Sequence, residues 1–332
     1  MAEKIDFVIT WVDDSDPKWR KEFESCAAKE NRPINTNPCR FRDWGTLKYW
    51  FRGVEKYASW VNKIFFVTYG HLPEWLDTTN PKLVVVKHED FIPIEYLPTF
   101  NSACIAFFFH KIDGLSERFV RFDDDTFIIS PVSQERFFRN GLPCDVGWLQ
   151  LYKDPRMFGL SVHLAMDLIR TNFIYKEAIS NNRSKWYSFS RLTTSKNNLK
   201  YYWLPEFPGF ANHHLAQGYL KNIYEEVWLH CKEDLHRTCS NKFRTYGNVS
   251  PWIIRYWQLA SGNFLPYNVY EDGLYYEITD QTIHEIKDCI EKQKLKMVCL
   301  NDTENTHQFE EKMQTILNAF NKILPDKCSF EL

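Results

Sequence analysis

The sequence predicts an α/β fold, with a largely parallel sheet in its first half and a more helical second half. Two observations carry that expectation. Short runs rich in Val, Ile and Phe at 5–12, 63–68, 83–87 and 119–122 alternate with segments of helical spacing, the pattern of a parallel sheet joined by crossover helices. Two of those runs, 5–12 and 119–122, end in clustered acids, Asp13-Asp14-Ser15-Asp16-Pro17 and Asp123-Asp124-Asp125, and ligands of such sheets gather at the carboxyl ends of strands.

The elements follow in order. Between the first two strands, 46–57 places Leu47, Trp50, Phe51 and Val54 on one helical face. The stretch 101–112 predicts a single buried helix leading to the triple Asp. After residue 150, helices are expected at 161–171, 220–230 and 252–260. The polar stretch 181–199, rich in Ser, Asn, Lys and Arg, predicts a mobile loop. An amphipathic helix at 281–294, a strand at 296–300 and a helix at 309–323 close the chain. A boundary near 150 is expected to divide the α/β core (1–150) from a mainly helical closing region (151–332) that completes the same unit.

Bulk composition excludes several functions. Lys and Arg number 41 against 43 Asp and Glu, so no basic excess exists to neutralise a nucleic acid. No apolar run approaches the length of a bilayer span, and the N-terminus lacks a signal pattern, which together predict a cytoplasmic protein. The nine cysteines are scattered without a C-x-x-C pair, as expected of free thiols in a reducing compartment. His230, Cys231, His236 and Cys239 offer zinc-type ligands, but their spacing fits no common zinc site. Aromatic residues make up 17% of the chain. Most should fill the core, although their faces also suit sugars and bases.

The triple Asp stands out chemically. Adjacent carboxylates repel one another and need open solvent or a bound cation, and hard divalent ions share carboxylates with substrate phosphates. Arg40, Arg42 and Arg52, just before or within the first helix, offer forked donors for phosphate oxygens or for salt bridges. In the second half, His213-His214 and the Asn241-Lys242-Phe243-Arg244 run supply an acid–base group and a cation for developing phosphoryl charge. By residues alone, this describes an enzyme acting on a nucleotide-linked substrate.

Four blocks in order resemble the Stealth family of sugar-phosphate transferases. They are Ile5-Asp6-Phe7-Val8-Ile9-Thr10-Trp11-Val12-Asp13-Asp14-Ser15-Asp16-Pro17, then 40–132 with Leu47-Lys48-Tyr49-Trp50-Phe51-Arg52-Gly53-Val54-Glu55, Leu97-Pro98-Thr99-Phe100-Asn101-Ser102 and the Asp cluster, then 205–264, then Cys299-Leu300-Asn301-Asp302 with 325–331. The resemblance implies a GT-A-like, Rossmann-like nucleotide-sugar core. It implies an enzyme moving sugar-1-phosphate from a nucleotide sugar, UDP-linked by expectation, to a glycan hydroxyl. The product is a phosphodiester-linked capsular or surface polysaccharide. Trp11, Asp13, Asp16, Arg40, Arg52 and Asn101 are then expected on the substrate side. Asp123, Asp124 and Asp125 are expected to hold Mg²⁺ or Mn²⁺, and His214, Arg244 and Asp125 to be catalytic. The expected partners are the donor and the acceptor glycan, with peripheral association to a membrane-bound polysaccharide assembly complex.

The pattern has departures. Ala103 and Ala106 stand where relatives often carry His and Glu, and Asn248 where an Asp is frequent. Two rival readings therefore accompany the first: an ordinary glycosyltransferase releasing a nucleoside diphosphate, and a silent glycan- or nucleotide-binding protein.

Overall fold

A computed structural model describes residues 4–30, 42–152, 157–187, 192–303 and 308–332. Its strands are β1 (Ile5–Thr10), β2 (Ile64–Thr68), β3 (Leu83–Lys87), β4 (Arg118–Phe122), β5 (Thr126–Ile128), β6 (Phe138–Arg139), β7 (Leu142–Asp145), β8 (Gln217–Leu220), β9 (Leu265–Pro266), β10 (Gly273–Glu277) and β11 (Met297–Asn301). The main sheet has the order β3-β2-β1-β4-β8. Its first four strands are parallel, with Phe7 of β1 opposite Ile64 of β2 and Val120 of β4. Every residue of β2 is buried, as are Ile5 to Ile9 of β1, which explains why these runs are mostly apolar: helices cover both faces of a parallel sheet.

The chain leaves β1 toward β2 on one side and later returns as β4 on the other. The winding therefore reverses between β1 and β4, and a crevice opens at their carboxyl ends. Both acidic turns flank that crevice. The helix Leu47–Tyr57 buries Leu47, Trp50, Phe51 and Val54, and Gly53 lets it press on β5, since a Cβ there would lie 2.5 Å from the Ile128 carbonyl oxygen.

The second half interleaves with the first. β8 adds an antiparallel edge to β4, β11 pairs with β5, and β9 pairs with β7. One hydrophobic cluster runs from Ile5 to Phe330, so the core is continuous across residue 150. Helices Met157–Asn172 and Trp252–Ala260 pack against each other behind the crevice.

Two expectations are corrected. The stretch 101–112 is a short helix, Ser102–Phe107, followed by a single 3₁₀ turn at Phe109–Lys111. The expected mobile loop at 181–199 contains helices Arg183–Trp186 and Leu192–Leu199, with 188–191 outside the described residues. Its anchor is Asn198, fully buried, which accepts from the Leu149 amide and donates to the carbonyls of Gly147 and Trp186. A polar stretch looks mobile in sequence, but here its amide groups are saturated by backbone partners. The helix Pro17–Ala27 went unpredicted, although Asp16 caps it by accepting from the Trp19 amide at 2.7 Å and Pro17 occupies its first turn.

Candidate active site

The turn after β1 is built around two aspartates. Asp13 accepts from the Ser15 amide at 2.8 Å, and its own amide donates to His71 Nε2 at 2.9 Å. His71 stands in the segment after β2. Trp11 is buried beneath this turn, 5.8 Å from Phe66 and 5.1 Å from His71 between ring centroids, so it braces the floor rather than presenting an open indole face.

β4 and β5 place the triple Asp between them. Asp123 pairs with Arg121 at 2.8 Å. Asp125 accepts from Thr126 Oγ1 at 3.1 Å, and its backbone carbonyl accepts from the Leu300 amide of β11 at 2.8 Å. Asp123 and Asp124 are exposed, but the walls of the crevice take away part of their hydration, so unbalanced charge there is costly. Burial, then Asp125, Asp123 and Asp43, pushes Asp124 up to about 8. Burial and then Asp123 raise Asp125 to about 6. Burial works on Asp123 too, but Arg121 first, then His214 and Arg244, more than offset it and hold this carboxyl below its ordinary value.

Those couplings bring residues from distant parts of the chain to one crevice. Asp43, in the turn before Leu47–Tyr57, interacts with both Asp13 and Asp124. Asp43 was missed in the sequence, although Asp43-Trp44-Gly45 reads as a turn: the Gly45 amide donates to its carboxylate at 2.9 Å and Gly45 has φ +67°.

His214 sits at φ +47°, exposed, between Trp252, Tyr275 and Phe158, with ring centroids 5.6, 5.1 and 5.8 Å away. Although its edge is exposed, loss of hydration against the surrounding protein lowers its pKa, with Asp123 opposing, so the imidazole is mostly neutral at pH 7. A buried frame fixes the loop that carries it. Asp145, at the end of β7, accepts from Arg255 Nε and Nη2 at 2.7 and 2.8 Å. Arg255 also donates to Asn212 Oδ1, and so does Tyr256 Oη. His213 Nδ1 accepts from the Leu215 amide, while its Nε2 faces Asp145 at 3.5 Å. The segment before it is also held on either side of Phe210, because Ala211 donates to the Trp148 carbonyl and Gln150 to the Gly209 carbonyl. Arg244 reaches from the segment before Trp252–Ala260 and donates to Ser102 Oγ through Nε at 3.0 Å.

The comparisons can be set beside this geometry. Stealth protein CR1, conserved region 1, matches residues 3–26, and Stealth protein CR2, conserved region 2, matches residues 40–144. The capsular polysaccharide phosphotransferase WcwK of Streptococcus pneumoniae is 40% identical over 99% of this chain and 98% of its own. The chain belongs to the Stealth family. The receptor polysaccharide phosphotransferase WefC of Streptococcus gordonii is 36% identical over the whole of both chains. Among solved structures, the bifunctional glycosyltransferase WbbM aligns over 97% of this chain and 52% of its own, with a TM-score of 0.43 and 9% identity.

In this Stealth chain the crevice gathers Asp13, Asp43, Asp123, Asp124, Asp125, His214 and Arg244. Asp16 caps its helix next to His71, 3.9 Å from Nδ1. Two expected substrate contacts are corrected. Arg52 is buried: its fork holds Glu331, and Nη1 donates to the carbonyls of Leu324 and Pro325, so it tethers the C-terminal segment and has no donor aimed at a phosphate. Asn101 is fully buried; it caps Ser102–Phe107, and its amide donates to Thr238, Asn241 and Asn248. Asn248 in turn accepts from the Thr245 amide. The Asn101–Asn248 pair therefore anchors the Arg244 segment to the helix bearing Ser102. Arg42, the other basic residue considered there, holds Asp302 through two donors and lies 4.3 Å over Phe309. Arg40 lies outside the described residues. No motif signal marked Asp145 or Arg255 as partners, because their pairing joins positions 110 residues apart.

Proposed function

We propose that this chain transfers sugar-1-phosphate from a nucleotide sugar, UDP-linked, to a hydroxyl of a glycan. The reaction builds a phosphodiester-linked capsular or extracellular polysaccharide. The observation that carries this reading is the meeting of the acidic triplet with His214 and Arg244 at the switch point of the sheet, in a chain related along its whole length to polysaccharide phosphotransferases.

The chemistry follows from the residues. The acceptor oxygen forms a bond to the phosphorus next to the sugar, the anhydride P–O bond breaks, and the nucleoside monophosphate leaves with that electron pair. His214, neutral and solvent-reached, takes the acceptor proton. Arg244 lies opposite the carboxylates and balances charge developing on the transferred phosphoryl group. Asp13 and Asp16 shape the donor side of the crevice.

The carboxylates fit a divalent cation, Mg²⁺ or Mn²⁺: crowded together, Asp124 and Asp125 hold their protons more tightly than usual, and a cation would let both ionise and act as ligands. Asp124 and Asp125 would hold it, with Asp123 alongside. Such an ion would leave its remaining positions to donor phosphates. When bound it would neutralise the diphosphate.

On the acceptor side, a cavity of about 360 Å³ is lined by Trp148, Gln150, Asn197, Lys200, Tyr201 and Ala211, a size and mixture of rings and amides suited to a sugar. Its Ala211 wall leads directly to His214. Among the described residues no helix is long and apolar enough to cross a membrane. We place the protein on the cytoplasmic side, where nucleotide sugars are made, at the periphery of a membrane-bound assembly complex.

The test is product analysis with UDP-, GDP- and CDP-sugars, Mg²⁺ or Mn²⁺ and a glycan acceptor extract. Acceptor-dependent UMP release from a UDP-sugar is expected. Release of UDP would place attack on the sugar carbon and overturn the reading.

A further inference from the structure

Charge is balanced along the whole chain, 41 basic against 43 acidic residues, but not locally. Between residues 173 and 204 stand Lys176, Arg183, Lys185, Arg191, Lys196 and Lys200 against Glu177 alone. Of these, Lys176, Arg183, Lys196 and Lys200 are described and exposed. The same segment carries large apolar side chains in water: Trp203 is 85% exposed, Ile174 65%, Leu199 56% and Tyr202 42%. Single exposed hydrophobic residues are ordinary, whereas a group of them needs a partner.

These residues lie together. Ile174 precedes the helix Tyr175–Asn181, and Leu199 ends the helix Leu192–Leu199. Tyr175 Oη donates to the Tyr201 carbonyl at 3.1 Å, and Lys176 Nζ donates to the Tyr202 carbonyl while lying 4.7 Å over its ring. Tyr202 meets Tyr187 and Trp203 edge to face, and Lys200 lies 5.4 Å over the Tyr201 ring. Glu206, the next carboxylate along the chain, and Asp167 before the segment both pair with Arg170, at 3.4 and 2.9 Å.

We propose that this edge docks on an anionic bilayer surface. Trp203, Ile174, Leu199 and Tyr202 enter the headgroup region, and the surrounding basic side chains meet lipid phosphates. Trp and Tyr favour that depth because their rings are apolar at one end and polar at the other. Lysines flanking them extend along the apolar surface and keep their charge at the phosphates. A second copy of this chain would bring one basic edge against another and is disfavoured by charge. The surface also borders the cavity, since Lys200 and Tyr201 belong to both. Docking would therefore turn the acceptor side of the crevice toward the leaflet. Docking needs only this surface, while its orientation rests on the proposed reading of the cavity as the acceptor side.

Co-sedimentation of the full chain with vesicles tests it, using phosphatidylcholine with and without phosphatidylglycerol. Binding is expected only to vesicles containing phosphatidylglycerol, weakening as salt rises. Lys196→Ala with Lys200→Ala should weaken it by about fivefold per charge removed. Trp203→Ser with Ile174→Ser should reduce it further still, and two exposed side chains can be replaced without disturbing the fold, as a thermal melt would check. Equal partition to both vesicle types, or full binding by the Trp203→Ser, Ile174→Ser pair, would overturn the proposal. So would self-association of the unmodified chain in sedimentation equilibrium that the same pair abolishes, since a second copy would then be the occupant.

Discussion

Asp145 and Asp124 belong to the same protein, and the more deeply buried of the two is the one that keeps its charge. Asp145 has no exposed surface, yet Arg255, the first influence after burial itself, holds it below the ordinary carboxylate range, with His213 adding to this. Asp124 has an exposed surface, but loss of hydration within the crevice, then Asp125, Asp123 and Asp43, pushes it up to about 8. Burial raises both carboxyls and is the largest single influence on each, and what separates them is the partner: Arg255 offsets it at Asp145, while like charges add to it at Asp124. Asp145 is complete within the fold, and with Arg255 it fixes the His214 loop. Asp124 is left unbalanced at the mouth of the crevice, which is where a cationic ligand would act.

The largest effect should come from the group that the finished frame supports. His214→Ala is expected to lower turnover by about 10²–10⁴-fold while donor binding, followed by calorimetry, stays near the unmodified value. Full activity in that variant would remove His214 from the chemistry and with it the purpose of the frame.

Next is the frame itself. Arg255→Met leaves Asp145 buried without its cation and should destabilise the protein by about 3–5 kcal/mol, measured by urea denaturation. A change below 1 kcal/mol would mean that Asp145 is neutral or has found another partner, and the comparison would fail.

The unbalanced carboxylate predicts the opposite pH behaviour. A carboxyl whose folded pKa lies above its unfolded value of 3.8 binds a proton more tightly when folded. Its contribution is therefore present at low pH and is lost as pH rises from about 4 to about 8. Metal-free protein should melt at progressively lower temperature across that window. Asp124→Asn should flatten the decline, and Mg²⁺ should flatten it in the unmodified protein alone. Asp145, shifted downward, contributes above pH 3.8 and loses its effect only as pH falls through its lower folded value. A melt that ignores Asp124→Asn would show that the carboxylate cluster is solvated like any surface group.

The smallest effect is expected at Arg52. Arg52→Lys keeps the charge but loses the fork on Glu331, at a cost of about 1–2 kcal/mol. KM for the donor should not change, and a several-fold rise would return Arg52 to the phosphate site from which its contacts with the C-terminal segment remove it.

Much of the site was legible because its residues cluster locally. Three adjacent aspartates at a strand end, an acidic turn after the first strand and a His–His pair are each readable from a few consecutive letters. Asp43 was readable only in part, since a lone Asp before a helix is commonplace until Asp13 and Asp124 are brought beside it. Asn101 and Arg52 misled for the converse reason: each sits inside a segment resembling the family, but segment membership does not show which way a side chain points. Asn101 turns inward to cap a helix and tie down Asn248, and Arg52 turns to the far end of the chain. The stretch 181–199 misled because composition counts polar groups without showing whether the backbone satisfies them, as it does at Asn198.

By itself the sequence determined the parallel core and the chemistry gathered at two of its strand ends, because periodicity and turn residues act over a few positions. Only the tertiary structure decided that β8, β9 and β11 complete the sheets begun in the first half, and that Arg255 reaches Asp145. It also decided that His214 and Arg244 face Asp123 across the crevice. Those pairings close loops of roughly a hundred residues or more. The free energy that selects them comes from burying a shared core and matching charges within it, which no local stretch of the chain encodes.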